Sequence, residues 1–160
     1  MRLMVRAATA DELQQVYEIA VANPSAPQWT LAQFAEILSP GESAVTRELL
    51  VAMGDTAVLG FAVVSAVTIV YPVEAELESI AVAPEWHRQG VGRALMQEVL
   101  RWAESAGAAE LRLEVRVSNT GAQKLYEESG FHSNGMRPRY YANPVEDAVC
   151  MIRGTSVTKV

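Results

Sequence analysis

Gly90-Val91-Gly92, with Arg88 before it and Arg93 after it, is the arrangement in this chain best suited to holding an anion. The glycines follow an apolar stretch holding Leu77, Ile80 and Val82. They precede a run in which Val91, Ala94, Leu95, Val99, Trp102 and Ala103 recur at spacings of three and four, the period of one helix face. A strand, a glycine loop and a helix start gather unpaired N–H groups and the positive end of the helix dipole at one point. Glycine also lets a ligand approach the backbone closely. The chemistry expected here is binding of a phosphate or pyrophosphate. A dinucleotide fingerprint would need a third glycine where Leu95 stands, and the phosphate loop of nucleotide hydrolases would need Gly-Lys-Ser/Thr, which is absent.

Acid–base chemistry has two candidate sources. In Glu110 to Val117, Leu111, Leu113, Val115 and Val117 alternate with Arg112, Glu114 and Arg116, so the charged residues share the polar face of a strand. Glu74, Glu76 and Glu78 form a second acidic row on the strand that enters the glycine loop. Glu114 could equally do no more than pair with Arg112 or Arg116. Tyr126, on the next helical stretch, reads either as a core aromatic or as a proton donor, and Asn119 at its start reads as a cap. His87 and His132 stand apart without metal-ligand spacing, so no metal is expected.

The elements that must position these residues follow from periodicity and punctuation. Leu3 to Ala8 reads as a strand. Thr9 with Glu12, and Thr30 with Gln33, read as capping boxes opening two helices with Leu13, Val16, Tyr17 and Ala20, then Leu31, Phe34, Ala35 and Leu38, inward. Glu48 to Met53, Thr56 to Val70 and Val73 to Val82 read as three strands, with Ala57 to Tyr71 a long buried run too short for a bilayer span. The glycine-loop helix follows and ends at Ala106-Gly107. Then come the alternating strand, a short helix with Ala122, Leu125 and Tyr126 ending at Gly130, and strands over Phe131 to Met136 and Val145 to Ile152, joined by the segment from Arg137 to Pro144. The expected fold is α/β, a mixed central sheet of about six to seven strands with helices on both faces. Residues 1–153 read as one domain and residues 154–160 as a frayed tail.

Half of the 160 residues are apolar, enough for a sizeable core, and the net charge is −6. That charge argues against nucleic acid as a partner and favours a cationic one, while an anion must be met by local positive charge at Arg88 and Arg93. Charges near the N-terminus interrupt any signal-like apolar run, and a cytoplasmic protein without membrane association is expected. The single cysteine, Cys150, reads as a small buried core residue.

His87-Arg88-Gln89-Gly90-Val91-Gly92, preceded by Ile80-Ala81-Val82 and Pro84, resembles the pyrophosphate loop of the GNAT N-acetyltransferase superfamily, Gln/Arg-x-x-Gly-x-Gly/Ala, with His87 in place of the usual first residue. The order of elements matches that superfamily over nearly the whole chain. The resemblance implies acetyl-CoA as co-substrate, with its pantetheine arm lying along Ile80, Ala81 and Val82 and its pyrophosphate enclosed by Arg88, Gln89, Gly90, Val91, Gly92 and Arg93. Leu113 to Asn119 followed by Leu125-Tyr126 resembles the ribosomal-protein-alanine N-acetyltransferase (RimI) branch. There the glutamate matching Glu114 is proton acceptor, the tyrosine matching Tyr126 is proton donor, and the asparagine matching Asn119 contacts acetyl-CoA. Some members take their base from the preceding strand, which keeps Glu76 and Glu78 open. Trp29 in Pro27-Gln28-Trp29-Thr30, together with Tyr140 and Tyr141, resembles that branch's slot for a peptide N-terminus, with Gln28 where it usually has proline. The implied acceptor is the α-amine of a protein, possible partners being ribosomal proteins. An α-amine of pKa about 8 asks less of a base than a lysine near 10.4. Two other readings stay open: a GNAT acting on a small amine or lysine side chain, and a non-catalytic acyl-CoA sensor or partner-binding module.

Overall fold

The computed structural model describes residues 2–158. Its strands are β1 (Met4–Ala7), β2 (Val45–Met53), β3 (Val58–Val67), β4 (Val73–Val82), β5 (Ala108–Arg116), β6 (His132–Tyr141) and β7 (Glu146–Gly154). Its helices are α1 (Leu13–Val21), α2 (Leu31–Leu38), α3 (Val91–Ser105) and α4 (Thr120–Glu128). The strands form one mixed sheet of order β1-β2-β3-β4-β5-β7-β6, with β4 and β5 parallel and the other described pairs antiparallel. Two cores sandwich it. Leu95, Met96 and Val99 of α3 and Tyr126 of α4 lie on one face with Leu77, Leu111 and Leu113; Val16 and Ile19 of α1 and Phe34 of α2 lie on the other with Val51, Phe61 and Val63. Covered on both faces, β3 is buried along almost its whole length, hence its near-continuous apolar sequence.

Local chemistry sets the helix starts. At α2, Gln33 N–H donates to Thr30 Oγ1 (3.1 Å) and Thr30 N–H donates to Gln33 Oε1 (2.8 Å), the reciprocal bonds of a capping box. Ahead of α1, Thr9 N–H donates to Glu12 Oε1 (2.8 Å), and the same buried carboxylate takes two bonds from Arg6 of β1. Arg6 holds the Glu12 carboxyl below its ordinary range, so one residue ties the first helix to the sheet edge.

The feature that shapes the site is a bulge in β4. Opposite β3, Val64 pairs with Leu77 and Val63 pairs with Ser79, leaving Glu78 as the extra residue. An extra residue shifts the two-residue alternation by one. Before it, Ala75 and Leu77 face the α3 core; after it, Ile80 and Val82 face that core while Ala81 and Ala83 turn to the α1–α2 core. Pairing of β4 with β5 runs from Val73/Ala108 to Glu76/Arg112 and goes no further. Beyond Glu76 the two parallel strands part.

Several sequence expectations are corrected. Ile69, Val70 and Tyr71 lie past the end of β3 in an exposed connection and are not part of a buried strand. Val117 follows the last residue of β5 and is exposed, and Leu31 at the start of α2 is exposed as well. The segment expected to join the last two strands belongs to them as far as Tyr141, so β6 is a ten-residue edge strand. Cys150 is half-buried, opposite Glu114 on the polar face. Gly154 closes β7, and Thr155 donates from N–H and Oγ1 to the Ala109 and Ala108 carbonyls. The stretch read as a tail is therefore hydrogen-bonded to the sheet at its start; residues 159 and 160 lie outside the described residues.

Candidate active site

Where β4 and β5 separate, a cleft of about 740 Å³ opens toward the start of α3. It gathers Ile80, Ala81, Val82, Arg88, Gly90, Gly92, Arg93 and Asn119, residues that the sequence spreads over forty positions. Gly90 caps α3 with φ +86° and open space around its missing side chain. The first bond of the helix runs from Ala94 N–H to Gly90 O (3.0 Å). Helix geometry thus leaves the N–H groups of Val91, Gly92 and Arg93 without intrahelical acceptors. At Gly92 a side chain would start 3.1 Å from Leu125 of α4, so glycine lets α3 and α4 close on each other at the cleft. Val91 and Gln89 contribute otherwise than the arginines. Val91 is buried in the core, and the Gln89 side chain donates to Glu85 O (3.2 Å), which leaves their backbones for any ligand. The asparagine at 119 caps α4, its Oδ1 accepting from Ala122 N–H (3.2 Å), and also borders the cleft.

Along the open edge of β4 the backbone alternates. Ala83 N–H donates to Leu59 O of β3, so the backbone groups of Ala81 also point to β3, and those of Ile80 and Val82 point into the gap. One of these is already engaged: Val82 O accepts from Asn23 Nδ2 (3.0 Å) and lies 2.7 Å from His87 Nε2. Asn23, in the turn after α1, also donates to Ile19 O (2.8 Å). It fastens that turn to the cleft wall, a role no sequence motif announced.

On the opposite side of the sheet from α3, the polar faces of β4 and β5 bring Glu76, Glu78 and Glu114 together. The expected partners of Glu114 are engaged elsewhere, Arg112 with Glu110 (3.0 Å) and Arg116 with Glu146 (3.2 Å). Glu114 pairs instead with Arg137 of β6, Nε to Oε1 3.3 Å, and it is hydrogen-bonded to Glu76. Crowding by protein, the charge and hydrogen bond of Glu114 and the charge of Glu78 push the Glu76 carboxyl from 4.5 up to about 7, against a smaller opposing pull from Arg137. Two carboxylates in contact hold a proton between them more readily than either does alone. Glu78 is held by Arg47 of β2, Nε to Oε2 2.7 Å.

Tyr126 is buried on the α3–α4 side, its ring 6.0 Å from that of Phe131. Burial, with a contribution from Tyr141, pushes its hydroxyl above the ordinary tyrosine range. Such a group keeps its proton throughout the neutral range. Tyr141 packs edge-on against Tyr140 (5.0 Å) beneath the Arg116 guanidinium (4.5 Å), and burial raises its hydroxyl to about 12. Trp29 stacks on Phe34 (5.7 Å) and borders a separate hollow of about 510 Å³ with Arg47 and Glu78. The three aromatics thus flank the carboxylate row from opposite ends rather than forming one wall. The contacts of Arg47, Arg137 and Asn23 and the Glu76–Glu114 contact escaped the sequence reading, since each joins elements far apart in the chain. The bulge alone left a trace, in the break of alternation between Leu77 and Ile80.

The glycine cleft and the parted strands are the features to compare with known proteins. The model of the acetyltransferase (GNAT) family matches residues 10–131. The [ribosomal protein bS18]-alanine N-acetyltransferase of Escherichia coli strain K12 is 46% identical over 88 residues, 54% of this chain and 60% of that protein. The chain therefore spans less than two thirds of the length of that relative. A putative [ribosomal protein bS18]-alanine N-acetyltransferase of Bacillus subtilis strain 168 is 33% identical over 147 residues, 92% of each chain. Among solved structures, the ribosomal-protein-S18-alanine N-acetyltransferase from Escherichia coli superposes with a TM-score of 0.77 at 30% identity, covering 98% of this chain and 96% of that one. With a family match across the glycine loop, both carboxylate strands and the tyrosine helix, the chain belongs to the GNAT acetyltransferase family.

Proposed function

We propose that this protein is an acetyl-CoA-dependent N-acetyltransferase whose acceptor is the N-terminal α-amine of a protein, of the ribosomal-protein alanine type, working in the cytoplasm. The observation that carries the reading is the cleft between the parted strands. It runs from the free N–H groups at the start of α3 along the open edge of β4, with a row of carboxylates on the far side of the same gap. The residues present fit acetyl-CoA: a left-handed Gly90 with open space beside it, two arginines, and a strand edge on which the backbone groups of Ile80 and the N–H of Val82 face the gap and can take a hydrogen-bonded arm. When bound, acetyl-CoA supplies an acetyl thioester, the activated acyl group that an amine attacks. Arg88, Arg93 and the N–H groups of residues 90–93 would hold the diphosphate, and the backbone of Ile80 and Val82 the pantetheine arm.

The remaining chemistry is proton traffic. An acceptor arriving as an ammonium must lose a proton before its nitrogen can attack, and a base is most effective when its pKa lies near the working pH. The Glu76–Glu114 pair, with Glu76 near 7, answers that need. In this reading Glu114 on β5, the glutamate that the family resemblance marks as proton acceptor, lines the pair up, and Glu76, in contact with it, carries the proton. Tyr126, whose hydroxyl keeps its proton, is the group with one to give to the departing thiolate, which leaves as the thiol. Trp29, Tyr140 and Tyr141 would border the acceptor, whose positive charge suits the three carboxylates.

The test is acetyl-CoA turnover over peptides differing in their first residue, beside small amines and lysine peptides, for the wild type, Glu114→Gln and Tyr126→Phe. The reading expects Ala-initiated peptides to be preferred and both variants to lose about 100-fold or more in kcat. Turnover of small amines alone would move the acceptor to another class. Coenzyme binding without any acetylated amine would leave a sensor.

A further inference from the structure

The polar face holds two kinds of arginine. Arg116 is nearly buried and fixed on every side, by the carbonyls of Ala142 and Pro144, by Glu146 and by the Tyr141 ring. Arg137 is different. Its side chain is 59% exposed, its link to Glu114 is a single 3.3 Å contact, and its guanidinium stands 5.6 Å from the ring centre of the exposed Tyr140. It reaches Glu114 from β6, across β7, beside Cys150. Among the described residues, three carboxylates (Glu76, Glu78, Glu114) then share two cations: Arg47 on Glu78 and Arg137 on Glu114.

We propose that Arg137 is a displaceable counter-ion, which occupies Glu114 in the free protein and yields that place to the ammonium of the acceptor. The proposal rests on the acetyl-transfer reading above and adds to it a positioning residue that acts through Glu114. An ammonium and a guanidinium compete for the same carboxylate oxygens. A weakly held, solvent-exposed guanidinium is removed at little cost, since water screens an exposed ion pair and solvates the released charge. Displacement also changes the base. With Arg137 in place, moving a proton onto the pair would set a neutral carboxyl beside a guanidinium and forfeit their attraction. With Arg137 swung toward Tyr140 and solvent, the proton can pass from the ammonium to the pair without that loss. The carboxylates thus gain basicity when an acceptor is present to use it. The other charged or titratable groups around the pair are Glu78 of β4, held by Arg47 of β2, Arg112 and Arg116 of β5, paired with Glu110 and Glu146, Tyr140 and Tyr141 of β6, and Cys150 of β7.

Two pH profiles separate displacement from permanent tuning, because kcat/KM reports groups of the free enzyme and kcat those of the complex. Initial rates with an Ala-initiated peptide would be recorded from about pH 5 to about pH 9 for the wild type, Arg137→Ala and Arg137→Lys. In Arg137→Ala the acid limb of kcat/KM is expected to move up by about one pH unit, as loss of a nearby positive charge demands. The acid limb of kcat is expected to stay where it is, because in the complex Arg137 has already gone, and KM for the peptide is expected to fall. Lysine at this position should restore the wild-type limb. A kcat/KM limb that does not move, two limbs that move together, or a rise in KM would overturn the proposal while leaving the function intact. A wild type that acetylates no amine would overturn the function and the proposal with it.

Discussion

The two sides of the gap between β4 and β5 are built on opposite principles. Toward α3 and α4 the cleft offers backbone N–H groups, the two glycines of the loop and two arginines, all drawn from one stretch of the chain, with Asn119, α4 and the turn after α1 completing its lining. Toward α1 and α2 the same gap is lined by carboxylates, guanidiniums and tyrosines from β2, β4, β5 and β6. A multiply charged anion is met by main chain fixed at a helix start, where the donors cannot move away. A cation that must surrender its proton is met by side chains whose proton affinity depends on one another. The two sides should therefore fail independently when mutated.

The largest effects are expected on the cationic side. Glu114→Gln and Glu76→Gln should each lower kcat by about 100-fold or more while leaving acetyl-CoA affinity, measured by calorimetry, unchanged. Loss of coenzyme binding in either variant would break the separation. Activity should fall as pH drops through about 7, because Glu76 must be ionised to accept a proton. Stability has the opposite slope. The folded-state value of Glu76 lies above its ordinary 4.5, so the native protein binds the proton more tightly than the unfolded chain. Its contribution is present at low pH and is lost as pH rises from 4.5 through about 7. Glu76→Gln should flatten that part of a plot of melting temperature against pH.

On the anionic side, Gly92→Val should weaken acetyl-CoA binding about 10- to 100-fold. The added carbons meet Leu125 at 3.1 Å, and overpacking of about 1–3 kcal/mol pushes α4 from the cleft. With saturating coenzyme, the acid limb of kcat should stay at its wild-type position. A shifted limb would mean that the two sides share more than a strand. Gly90→Ala should do less. Its φ of +86° and open surroundings leave only backbone strain, about 1–2 kcal/mol, read as a small drop in melting temperature and at most about ten-fold in affinity.

The same contrast explains what the sequence disclosed. The anionic side is local: Arg88, Gly90, Gly92 and Arg93 are consecutive or nearly so, and the helix that follows them advertises itself by its period, so loop, helix and sheet order were all legible. Glu114 and Glu76 were visible as candidates, but their contact was not. It depends on where β4 stops pairing with β5 and on the bulge at Glu78 that turns Ser79 and Ala81 to the α1–α2 face. The true partner of Glu114 sits on β6, two strands away in space and 23 positions on in the chain. Pairing across antiparallel neighbours leaves no periodic signature, which is why Arg112 and Arg116, close in sequence, looked like the natural partners. The second half of β6, Arg137 to Tyr141, was missed for a related reason: as part of an edge strand with one neighbour, it carries little of the alternation by which strands are recognised.

The smallest expected effect concerns Ser79, beside the bulge. Its hydroxyl is buried and has no protein partner among the described residues. It pairs across the strand with Val63 of the α1–α2 core, so it faces the same side as the carboxylates. A buried hydroxyl without a partner costs about 1–3 kcal/mol. Ser79→Ala should therefore raise stability by about 1 kcal/mol, seen as an increase of a few degrees in melting temperature. A core-facing serine kept at such a cost beside the acceptor side would be of use only there, so the variant should be more stable and slower, with coenzyme affinity untouched. If Ser79→Ala instead loses stability, the hydroxyl is bonded in solution and its burial is structural. If it loses coenzyme binding, the division of the gap into an anionic and a cationic side fails at a residue that faces the cationic one.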